Sequence, residues 1–113
     1  MHEVGITQSI IDIAEQHARA QGAGKINSVT VEIGALCGVI PESVEFCFEA
    51  CASGTLLEGT RLIIHRIPGR GRCGQCGTES PMEQHTFACE ACGSFALETL
   101  QGTELRVTEL EVD

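Results

Sequence analysis

The chain has no tryptophan and no tyrosine, and its aromatic content is four phenylalanines. The core must therefore be aliphatic, made of Ile, Val, Leu and Ala. Base stacking, on which single-strand nucleic-acid binders depend, has little to draw on. Basic residues are also scarce, with 7 Lys and Arg against 16 Asp and Glu, a formal net charge of −9. Such a surface repels DNA, RNA and anionic membranes. No apolar stretch approaches the roughly 18 residues that span a bilayer. The opening Met1-His2-Glu3-Val4-Gly5 has neither the basic n-region nor the apolar h-region of a secretory signal. The expected location is cytoplasmic and reducing, where cysteines act as thiols or metal ligands rather than as disulfides.

Cysteine is what the chain has in excess: seven in 113 residues, an odd number that cannot all pair. Their setting follows from the elements around them. Ile6, Ile10, Ile13, Ala14, His17 and Ala18 recur at helical spacing, with Ile11 widening the stripe, and Gly22 and Gly24 stop the helix. Val29, Val31 and Ile33 alternate with Thr30 and Glu32, which predicts a half-buried strand. Pro41 opens a second helix whose apolar stripe is Val44, Cys47, Phe48 and Cys51, with Glu42, Glu45 and Glu49 facing outward. Residues 60–67 and 103–112 predict two further strands. In the latter the parity slips between Val107 and Leu110, which requires a bulge near Thr108 or Glu109. The fold class expected is α+β: a three-stranded sheet with two helices on one face, interrupted by an insert.

The insert, residues 68–102, has too little apolar content for a core of its own. It carries Cys73-Gly-Gln-Cys76 and, after twelve residues, Cys89-Glu-Ala-Cys92. Paired C-x-x-C motifs at this separation mark a zinc ribbon, in which two knuckles close a tetrahedron of sulfur around Zn2+. Two disulfides, four free thiols or an iron–sulfur cluster are the competing readings. Metal binding would supply the folding free energy that the insert lacks. Such a closed site leaves no coordination position for catalysis. The chain accordingly divides into residues 1–67 completed by the strand 103–113, and a zinc-binding domain, 68–102, inserted before that last strand. Arg66, Arg70 and Arg72 precede the first knuckle, where they either offset the negative charge of four thiolates or line a solvated linker.

His2 and Glu3 follow the initiator methionine, and a bulky second residue favours retention of Met1 with a free amine. That amine, the His2 amide nitrogen and the His2 imidazole can lie in one plane around a cation, a geometry that suits Ni(II) or Cu(II). A histidine in this position is otherwise an ordinary surface residue.

Met1-His2-Glu3, Gln8-Ser9-Ile10, Val31-Glu32-Ile33-Gly34, Gly38-Val39-Ile40-Pro41, Phe46 and the paired C-x-x-C insert together resemble the HypA/HybF family of nickel incorporation proteins for [NiFe]-hydrogenase maturation. The likeness spans the chain, including the order of segments. It implies a nickel metallochaperone rather than an enzyme, with Ni2+ as transient cargo bound by His2 with Glu3 and Met1. It also implies a structural Zn2+ on Cys73, Cys76, Cys89 and Cys92. The implied partners are a HypB-type GTPase and the hydrogenase large subunit, with urease served in some members. Cys37 departs from the family pattern, which usually has a small polar residue there. Cys47 and Cys51 are expected to pack as small hydrophobes, as is His17, while His65 and His85 belong to the surface. The alternative function is a zinc-ribbon module that binds nucleic acid or protein, which only the basic run Arg66 to Arg72 favours.

Overall fold

The computed structural model describes residues 3–113. Its elements run α1 (Glu3–Ala20), β1 (Ile26–Gly34), α2 (Pro41–Ala52), β2 (Arg61–Ile67), β3 (Arg70–Cys73), β4 (Glu79–Pro81), β5 (Leu97–Gln101) and β6 (Leu105–Val112). α1 ends where Gly22 turns to φ +73°, its amide donating to Arg19 O and the Ala23 amide to Ala18 O. α2 starts on Pro41, whose fixed φ and missing N–H cost nothing in the first turn.

The first sheet has the order β2-β1-β6, with β1 parallel to β2 and antiparallel to β6. Both helices cover one face: α1 packs on α2 and β6, and α2 on β2. Val29, Val31 and Ile33 point into that layer and meet Ile10, Ile11, Ala14, Val44, Phe48 and Leu57, an aliphatic core with a single aromatic ring. The bulge expected in the last strand is present. Thr30 opposes Glu109 and Val31 opposes Val107, so Thr108 is the extra residue, and its hydroxyl reaches Thr30 O at 3.4 Å.

Two expectations need correction. The buried face of α1 is Thr7, Ile10, Ile11, Ala14 and Ala18, whereas Ile13 is 43% exposed and His17 lies in solvent. The helix is turned towards Thr7 because that residue satisfies its own hydroxyl, which donates to Glu3 O at 2.6 Å, and so enters the core without cost. β1 is buried on both sides rather than half-buried: Ser28 and Thr30, on the face away from the helices, are also covered. As the central strand, β1 has neighbours along both edges whose side chains close over it.

Residues of the insert form a second sheet, β4-β3-β5, antiparallel throughout. The sheets meet at Gly34, Gly69 and Gly102. Leu36 N donates to Gly102 O, Gly34 N to Glu104 O and Met82 N to Gly69 O. The Leu36 side chain lies over Gly69 and Gly102. Gly102 adopts φ +116°, a conformation open to glycine alone.

Candidate metal centre

β3 ends on Cys73, and the chain turns at once. Gly77, at φ +76°, lets its amide donate to Cys73 O, while Cys73 N donates to Thr78 O. The second knuckle repeats this bond for bond. Gly93, at φ +78°, donates to Cys89 O, and Cys89 N donates to Ser94 O. Each turn lifts amides towards the sulfur of its first cysteine, those of Gln75 and Cys76 to Cys73 and that of Ala91 to Cys89, at 3.3–3.5 Å. Gly74 is pressed against the second knuckle's outgoing strand, donating to Ala96 O at 2.7 Å.

The two knuckles bring all four Sγ atoms within 4.8 Å of one another. Cys73 and Cys92 are 3.6 Å apart, as are Cys76 and Cys89. Four sulfurs placed 2.3 Å from one centre stand about 3.8 Å apart in a tetrahedron. The donor set thus fits a d¹⁰ cation closely. Cys73 and Cys89 are buried and Cys76 and Cys92 are exposed, so the centre sits at the surface with one sulfur of each knuckle facing inward. Among the described residues this is the only group of three or more side chains able to hold a metal.

The protonation chemistry points the same way. Amide hydrogen bonds from Cys76 and then Gln75 hold the Cys73 thiol down at about 6. The Thr78 hydroxyl and amide lower Cys76. At Cys92 the Ser94 amide favours the thiolate, but the Cys73 sulfur, burial and the other two sulfurs outweigh it and push the thiol up to about 12. Four thiols this close cannot all ionise without a cation among them. Backbone amides, not arginines, temper this charge. Arg66 is held by Glu42 at 2.8 Å, an ion pair that lowers the Glu42 carboxyl, and Arg72 by Glu79 at 3.0 Å.

Thr78 and Ser94 were not singled out from the sequence, although C-x-x-C-G followed by a hydroxyl residue occurs twice and is the signal that finds them. Met1 and His2 lie outside the described residues. Glu3 heads α1, half-buried, with its carbonyl taken by Thr7. The remaining cysteines, Cys37, Cys47 and Cys51, are half-buried, and Cys37 and Cys51 pack against the core. His65 and His85 are at the surface, as expected.

The family described as hydrogenase/urease nickel incorporation metallochaperone, HypA, matches residues 1–112. The chain belongs to the HypA family. Two relatives called hydrogenase maturation factor HypA show the extent of the likeness. That of Geobacter metallireducens is 51% identical over the full length of both chains. That of Trichodesmium erythraeum is 47% identical over all of this chain and 96% of its own. The solution structure of the Ni metallochaperone HypA from Helicobacter pylori superposes with a TM-score of 0.69 at 28% identity, covering 99% of this chain and 97% of that one. A second HypA solution structure gives 0.70 at 27% identity, covering 99% and 96%. The α+β fold with its cysteine-rich insert is therefore the HypA fold, and the cysteine cluster of this HypA-family chain is a metal site. No helix among its described residues is long and apolar enough to cross a membrane.

Proposed function

We propose that the chain binds Ni(II) through His2, with Glu3 and the Met1 amine, and delivers it for [NiFe]-hydrogenase maturation. It is a maturation factor of its family, not an enzyme. In this reading Ni2+ is cargo and exchanges at the start of α1, while Zn2+ stays on Cys73, Cys76, Cys89 and Cys92. Zinc suits four thiolates at these separations because a d¹⁰ ion accepts tetrahedral sulfur without loss. Its chemistry there is structural: it neutralises thiolates and ties both knuckles of a three-stranded sheet whose longest strand has five residues. Residues 1–67 with 103–113 form the nickel-binding domain, and residues 68–102 the zinc-binding one. The receiving partners are a HypB-type GTPase and the hydrogenase large subunit, all in the cytoplasm.

The observation that carries this reading is the family match over residues 1–112, joined by the closed sulfur tetrahedron that leaves the cysteines unsuited to transfer. The test is nickel titration of the native chain, of His2→Ala and of a form with one extra residue before Met1. Near-stoichiometric Ni(II) binding by the native chain alone supports the terminal site, because the extension removes the free amine without touching the fold. Equal affinity in all three overturns it. Metal analysis of the purified chain should give about one zinc.

A further inference from the structure

A groove of about 920 Å³ runs between α2 and β2. Leu57 and Leu62 lie in its floor, and Phe46 stands at its lip, 78% exposed. A ring so exposed contributes nothing to the core, and it sits on a helix face that is otherwise acidic. Glu45, Glu49 and Glu58 surround it, and none of them forms an ion pair among the described residues. The last turn of α2 has no basic residue, so the negative end of the helix dipole adds to the same field. β2 is the outer strand of its sheet, and its free edge offers N–H and C=O groups to an added backbone.

An apolar floor with acidic lips beside an open strand edge selects its occupant by charge. A second copy of this chain would bring the same lips and the same net charge of −9. Nucleic acids and anionic lipid surfaces are repelled for the same reason. We propose that the groove docks an extended segment of a partner protein that carries aliphatic residues flanked by lysine or arginine. The aliphatic side chains cover Phe46, Leu57 and Leu62, the basic ones face Glu45, Glu49 and Glu58, and the segment's backbone runs along β2. The site shares no residue with the cysteine cluster and does not rest on nickel binding.

The test titrates a short peptide of alternating lysine and valine into the isotope-labelled full chain, as purified, and follows amide shifts by NMR. A peptide with serine in place of every valine is the control. The shifts should centre on Phe46, Glu49 and Leu62. Phe46→Ser, at a side chain the fold does not use, should weaken the valine peptide by about tenfold and leave the serine peptide unchanged. The Glu45→Gln, Glu49→Gln pair should weaken binding and flatten its salt dependence. Shifts scattered over the acidic surface, shifts centred on the cysteine knuckles, or equal affinity of wild type and Phe46→Ser would each overturn the proposal.

Discussion

Gly34 and Gly102 meet backbone against backbone: a Cβ on Gly34 would overlap the carbonyl group of Gly102. The contact lies where the end of β1 passes the link between β5 and β6, and the obstacle is main chain, which no rotamer change can clear. Gly34→Ala should therefore destabilise the chain by about 1–3 kcal/mol in urea unfolding. Gly24→Ala makes the contrast, because a Cβ there meets nothing within 4 Å and φ is not positive. That variant should match wild type or exceed it slightly.

Which face of α1 is buried can be measured directly. Ile11 is 1% exposed and Ile13 43%. Ile11→Ala should cost about 2–5 kcal/mol, and Ile13→Ser no more than about 0.5 kcal/mol. Comparable costs at the two positions would contradict the packing described.

Loss of one metal-site cysteine should separate the two sheets in behaviour. Cys89→Ser removes a buried sulfur that also accepts the Ala91 amide. Zinc content should fall towards zero and the amide signals of β3, β4 and β5 should collapse. Helical circular dichroism should persist, because both helices and their core belong to the other sheet. Unfolding of the whole chain on metal loss would contradict the proposed division into domains.

Acid should release the bound metal, because only the thiolate is a ligand. The Cys73 thiol is depressed to about 6, so its sulfur stays ionised above that pH and takes a proton below it. For a depressed group the stabilisation exists above the unfolded pKa and disappears as pH falls through the folded one. A colorimetric chelator should therefore find metal retained at pH 8 and released below about pH 6, with the bound cation moving the midpoint lower still. Metal held unchanged at pH 4 would contradict a thiolate site.

The bulge at Thr108 was visible in the sequence because side chains on a strand alternate, so a slip in apolar parity between Val107 and Leu110 has few other causes. The knuckles were visible because C-x-x-C is a local geometry that needs no distant partner. The face of α1 was not visible. Ile6, Ile10, Ile13 and His17 make as good a helical stripe as Thr7, Ile11, Ala14 and Ala18, and what separates them is where α2 and β6 lie. Threonine enters that face by bonding its own helix backbone, which no hydropathy pattern registers.

By itself, then, the amino-acid sequence determined what local chemistry can specify: two helices and three strands of one sheet, the four-cysteine centre, and an anionic surface hostile to nucleic acid. The tertiary structure alone decided which side of α1 is buried, that the insert builds its own sheet, and that Gly34, Gly69 and Gly102 join the two. It also decided that Arg66 and Arg72 answer glutamates rather than the sulfurs, and that Phe46 and three unpaired glutamates border one groove. All of these depend on residues distant in the chain coming within a few ångströms, and such contacts are set by packing, not by spacing.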